Sequence, residues 1–301
     1  VTALCMAAAF AVAEALRRLI PPLARLGLPG SILAGCIALL AGPQVAGLLP
    51  LGQEVLEGVV YPGLAIVFIA VALTPSDADR PRSSGGLSMV FAIVSMIALQ
   101  TTLGVGLMIG LGVFGPAIHP GLGLLLPLGF EQGPGQAMAM GLAWESSGLT
   151  DGRQLGLIIA ALGFAWSVVV GVPLVIVGRM CGWVSTARHV TADVTVAARE
   201  DQQPGGVDVL TAQIVVVLSV YGITLGVCQV LAWQLGRVAP DIAPMIWGFH
   251  YIIGALMASV VRPLLERLPG VPVLHGPSLT RVAGVSVDAT TAGALAAVQL
   301  A

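Results

Sequence analysis

The chain has 301 residues, 57% of them hydrophobic and 9% charged, and its 13 basic and 15 acidic side chains leave a formal net charge of -2. Soluble domains carry about 25% charged residues, so this composition excludes a soluble enzyme, a disordered chain and, lacking any basic excess, a nucleic-acid partner. A mean hydropathy of +0.97 and long apolar runs mark a polytopic membrane protein held in a lipid bilayer.

The apolar runs lack the period-2 alternation of barrel strands. Hydrocarbon also forces every backbone N–H and C=O to find a partner inside the structure. Together these predict an all-α membrane protein. In chain order, uncharged windows place spans at Val1–Ala13 (running on to about Leu16), Leu26–Gln53, Gly58–Ser76, Leu87–Phe114, Gln154–Gly178, Val209–Gly236, Ile242–Val261 and Val282–Ala301. Each reaches or approaches the ~20 residues that cross ~30 Å of hydrocarbon. The chain starts at Val1 rather than Met and stops at Ala301 inside an apolar stretch, so both ends are expected to be cut.

Residues Gly121–Trp144 read differently. Two short apolar arms, GLGLLLPLGF and AMAMGLAW, flank the polar centre EQGPGQ. Neither arm is long enough to span, and Gly133-Pro134-Gly135 removes helical hydrogen bonds at the centre. Charge placement tests the alternatives. With the N-terminus outside and 121–144 re-entrant, 11 arginines lie inside and only Arg153 and Arg237 outside. Full crossing would move Arg179, Arg188 and Arg199 outside. The positive-inside rule therefore favours re-entry. Residues 1–178 then form a first repeat of five spans plus the loop, residues 179–208 a hydrophilic cytoplasmic linker, and residues 209–301 three further spans. An odd number of spans turns a second copy upside down, which is the logic of inverted-repeat secondary transporters. The second repeat is expected to be truncated after its third span.

The chemistry is expected at that break. Gly129, Gly133 and Gly135 let a ligand approach the backbone, while Glu131, Gln132 and Gln136 add charge, oxygens and donors. A carboxylate on an intramembrane break costs about 3 kcal/mol unless paired, which makes Glu131 a functional candidate. Thr74, in Thr74-Pro75-Ser76, is either a span end or a site residue. Gln100, in Gln100-Thr101-Thr102, is either an interhelical hydrogen-bonding group or a site residue. Ser286 and Asp288, with Thr290 and Thr291, lie inside the last span and are read as cation or substrate ligands. The four histidines form no HExxH, the four cysteines no CxxC, and no Walker A, GxSxG or dinucleotide fingerprint occurs. No enzyme activity and no organic cofactor are expected.

Several segments carry a family resemblance. They are Leu28–Gly35 (LPGSILAG), Ala98–Gly106 (ALQTTLGVG), the EQGPGQ loop followed by Ala143-Trp144, Ser147–Gly178 ending in a Gly-x-Pro-bearing span, and Ala283–Leu300. In order and spacing they resemble the bacterial glutamate:sodium symporters. The resemblance implies an inner-membrane homodimer that moves glutamate or a related small amino or carboxylic acid by alternating access. It also implies sodium as the coupling ion, which would sit at Glu131 or Asp288. The chain departs from the family's Gly-Gly-His-Gly-Thr-Gly loop by lacking the histidine and adding Glu131. Two rival readings stay open: a membrane-embedded enzyme using Glu131 as general base, and a degenerate membrane protein that transports nothing.

Overall fold

The structure is a computed structural model that describes residues 1–20, 29–75, 85–114, 119–183, 208–240, 242–267 and 274–299. The described residues are helices and turns, with no strand among them. In chain order the helices are α1 (Thr2–Leu19), α2 (Gly30–Ala41), α3 (Gln53–Leu73), α4 (Gly85–Phe114), α5 (Gly121–Pro127), α6 (Pro134–Glu145), α7 (Gly152–Trp166), α8 (Val172–Met180), α9 (Val209–Val238), α10 (Met245–Gly248), α11 (His250–Arg267) and α12 (Gly276–Ala296). Two π-helical turns, Leu128–Gln132 and Ser167–Gly171, join α5 to α6 and α7 to α8. Four helical stretches are long and apolar enough to cross a membrane: α3, Leu87–Val113 of α4, Gly152–Gly178 through α7 and α8, and α9.

Several expected spans change shape. Among the described residues between 29 and 52, the helix is the 12-residue α2, about 18 Å long. The chain then leaves it through turns at Gly42–Leu51. The window Ile242–Val261 splits into α10 and α11 at Phe249. The last helix starts well before Val282, because Pro277 in its first turn pre-sets a helical φ and lacks only an N–H that would be unpaired anyway. Most of the 179–208 linker falls outside the described residues, as do Ser76, Arg25, Arg80, Arg82, Arg188 and Arg199. The linker's last residue, Asp208, caps α9 by accepting the Thr211 N–H at 3.2 Å.

Contacts sort the helix ends into two groups. At the first end, Gly52 N–H donates to Thr2 Oγ1 at 3.2 Å, Arg153 pairs with Glu57, and Gln154 Nε2 donates to Ala297 O at 3.4 Å. At the second end, Arg262 donates to Thr74 O at 3.0 Å and His275 N–H donates to Gln213 Oε1 at 3.3 Å. These contacts fix helix directions. α1 runs away from the first end and α9 toward it. α2 runs toward it, since Gly30 at its start lies by Arg17 near the far end of α1, and α11 runs away. α3 runs away and α12 toward.

Small residues set how closely the helices approach, as expected where lipid supplies no hydrophobic drive between them. A Cβ on Gly63 of α3 would overlap Thr290 Oγ1 of α12, and one on Gly35 would press on Leu295. A Cβ on Gly104 would meet the backbone of Gly123, so α4 holds α5 through bare backbone. The same holds for Gly141 against Gly152, and for Gly156 against Ala137, along the α6–α7 seam.

Candidate functional site

The segment 121–145 folds back on itself. His119 Nδ1 accepts the Gly121 N–H at 3.1 Å, and its Nε2 lies 3.2 Å from Ser147 O. A Cβ on Gly121 would come within 3.6 Å of the Trp144 ring. The start and finish of the segment therefore sit together. Glu145 Oε1 accepts the Arg153 N–H at 3.0 Å and caps α7. Arg153 in turn pairs with Glu57, which ties both ends of the segment to the first end of the molecule.

The fold-back point is built from local chemistry. Gly133 N–H bonds Leu128 O at 2.9 Å, a five-residue step that widens the helix into a π turn. Gly133 then takes φ +98° and ψ 177°, a conformation essentially closed to residues with a Cβ. Pro134 opens α6 at the one position where its missing N–H is harmless. Ala137 N–H reaches Gly133 O at 3.2 Å, so the N–H groups of Gly135 and Gln136 lack intrahelical partners. The last carbonyls before the break are in the same position. A helix C-terminus and a helix N-terminus thus lie side by side at the hairpin tip and open onto one space.

That space is a cavity of about 340 Å³. The hairpin contributes Gly129 to Gly135, including Glu131 and Gln132. Leu64, Val67 and Phe68 come from α3, Phe164 and Ser167 from α7 and its π turn, and Val287, Thr290 and Thr291 from α12. Glu131 Oε2 and Thr290 Oγ1 are buried with no hydrogen-bond partner, and both residues line the cavity. Buried polar atoms in native structures are ordinarily paired, so the Glu131 orphan on this cavity is the one a ligand could pair, while Thr290 turns its hydroxyl to the notch at Gly63 and its methyl toward Gly135. No group of three or more His, Cys, Asp or Glu able to hold a metal occurs among the described residues. A hard cation would instead be held by Glu131, the threonine hydroxyls and the free carbonyls.

Of the expected site residues, Gly129, Glu131, Gln132, Gly133 and Gly135 come together here, joined by Thr290 and Thr291 from the last span. Gln136 is 4% exposed, sits inside the wall behind Gly135, and its Oε1 is also unpartnered. The others lie elsewhere. Asp288 is exposed on α12 and does not line the cavity, because Val287, Thr290 and Thr291 share one helical face and Asp288 is about 100° off it. Ser286 lines a separate apolar groove. Thr74 serves its own helix end: its Oγ1 donates to Ala70 O at 2.8 Å, while its carbonyl accepts from Arg262. Gln100 lies on α4 away from the cavity, its Oε1 buried and unpartnered. Sequence reasoning missed Ser167 and the aromatic wall of Phe68, Phe130 and Phe164. Within the last span the 287/290/291 helical spacing separates the cavity-facing threonines from Asp288.

No protein-family model, no curated protein and no solved structure matches this chain.

Proposed function

We propose that this protein is an ion-coupled secondary transporter whose solute binds in the cavity at the tip of the 121–145 hairpin. The observation that carries this reading is the unpartnered buried Glu131 Oε2, on a residue that lines a cavity where two helix ends adjoin at the hairpin tip. Such a site has something for each charge of a small amino acid. The N–H groups that open α6 suit a carboxylate. The Glu131 carboxylate and the last carbonyls of the π turn suit an ammonium group or a bare cation. Glutamate or a related small amino or carboxylic acid, with sodium as the coupling ion, fits that arrangement and the family resemblance. On this reading Glu131 faces the cationic part of its cargo, which removes the repulsion it would exert on a second carboxylate.

Two further features support the architecture this mechanism needs. The hairpin starts and finishes at the end marked by the Glu57–Arg153 pair, as a loop entering and leaving on one face would. The pairs α1/α9, α2/α11 and α3/α12 each run in opposite directions, as the first three spans of inverted repeats would. Rocking of one half about the other would open the cavity alternately to the two faces of a bacterial inner membrane, in a homodimer.

The test is uptake by the purified chain in proteoliposomes, with labelled glutamate and related amino acids supplied with and without an inward sodium gradient. Gradient-dependent accumulation is expected. Cysteines at the exposed Pro120 and Ser147 should label from the same face. Labelling from opposite faces would remove the re-entrant site and the mechanism with it.

A further inference from the structure

His250 opens α11 and is 0% exposed. Its imidazole stacks on Tyr61 of α3, with centroids 3.9 Å apart and planes 15° from parallel. Nδ1 lies 2.8 Å from the Trp247 carbonyl oxygen, and Nε2 lies 3.0 Å from the Tyr61 carbonyl oxygen. Both partners accept and neither can donate. A neutral imidazole carries one N–H, so one of its nitrogens would aim a lone pair at a carbonyl lone pair. Turning the ring over exchanges both nitrogens for carbons and gives up both contacts. The imidazolium, with two N–H groups, satisfies both contacts at once, and its charge-assisted bonds to the carbonyls offset the cost of burying the charge. The Tyr61 ring beneath it adds cation–π attraction. The Tyr61 hydroxyl donates to the same Trp247 oxygen at 2.6 Å, leaving that oxygen nothing to offer but lone pairs.

The geometry points to His250 as a proton-binding site whose occupied form clamps α3 to the corner between α10 and α11. Binding makes one N–H bond, with a proton taken from water, and breaks no other bond in the protein. A cavity of about 320 Å³, lined by Tyr61 and Trp247 themselves together with Leu142 and Ala143 of α6, lies against the clamp and is the route for that proton. The surrounding groups leave the ring to decide the titration. From α3 come Tyr61 and, one turn earlier, Glu57, whose charge Arg153 matches. Tyr221 and Cys228 of α9 lie beside Tyr61. Tyr251 of α11 stands edge-on to the ring at 6.1 Å. The α6 and α10 residues lining the cavity carry no titratable side chain.

The sign follows directly. The clamp is closed where the proton is bound and loosens as pH rises and the second N–H is lost. Leu64, one turn along α3 from Tyr61, and Val67 beyond it line the hairpin-tip cavity. Proton release would therefore free one wall of the solute site. The proton site does not rest on the transport reading, but this consequence for the wall does.

The experiment is nitrogen NMR of the full chain labelled with ¹⁵N-histidine and reconstituted in lipid, followed across pH. His119, His189 and His275 are replaced one at a time to assign the remaining signal. His250 should carry hydrogen on both ring nitrogens at the acid end and lose one on titration. Trp247 fluorescence should shift over the same pH interval, and His250→Gln, which cannot titrate, should lose that shift. A His250 that stays a single neutral tautomer throughout would overturn the proposal. So would a titration that leaves Trp247 unmoved. The wild-type spectrum decides the matter even if His250→Gln fails to fold. Transport that persists unchanged through the titration would break the link to the solute site and leave the proton site standing.

Discussion

Two of the cavities that flank the α3–α12 pair differ in kind. One is a groove of about 390 Å³ walled by Ile66, Ile214, Val217, Val282 and Val285, with Ser286 and Arg281 at its edge. The other, at the hairpin tip, is smaller at about 340 Å³, and it is lined by a carboxylate, three hydroxyl residues and two adjoining helix ends. Volume does not choose between them. The apolar groove is satisfied by a lipid tail, since its walls ask for nothing but contact. The tip cavity is lined by Glu131, whose buried Oε2 no part of the described chain pairs, and the proposed solute site rests on that unmet demand.

The largest way to break this contrast is to remove the wall that holds the hairpin. A Cβ on Gly141 would overlap the backbone of Gly152, which cannot move aside. Gly141→Val should cost about 3 kcal/mol and lose the folded species in fluorescence-detected size exclusion. Next is Glu131→Gln, which keeps the volume and removes the charge. Uptake should be abolished while the elution profile and melting temperature hold or improve, because a buried unpaired charge has been deleted. Normal uptake by this variant would move the chemistry off Glu131.

Thr290→Val sharpens the comparison further. The hydroxyl has no partner in the protein, so its loss should leave stability unchanged. If it pairs with solute, apparent affinity should fall by about three- to tenfold, the worth of one net hydrogen bond. In the other cavity, Ser286→Ala should alter uptake by less than about twofold. An effect as large as that of Thr290→Val would dissolve the distinction between the two cavities. The smallest effect concerns α9, where nothing lies within 4 Å of the position a Cβ on Gly222 would take. Gly222→Ala should raise thermal stability by up to about 1 kcal/mol and leave uptake alone.

Much of the tip was legible in advance because its causes are local. Gly133-Pro134-Gly135 breaks a helix wherever it stands, and Glu131 and Gln132 are one and two residues from the break. The partners across the cavity were not legible in the same way. Asp288 draws attention as the one charge within the last apolar run, yet it faces outward. Thr290 faces inward because Gly63, more than two hundred residues earlier, leaves a notch for it. His250 shows the same limit. In the sequence it is a histidine with no motif around it, and only packing against Tyr61 reveals that both its nitrogens meet acceptors.

The sequence by itself determined the solvent, the all-helical class and the place where the backbone breaks. Each follows from composition, from the cost of unpaired peptide groups in hydrocarbon, or from a few adjacent glycines and prolines. The tertiary structure alone decided which face of each helix turns inward. The rotation of α12 against α3, and of α6 against α7, is set by where one glycine meets another residue's side chain or backbone. Those contacts join residues far apart in the chain, and no pattern of neighbouring letters encodes them.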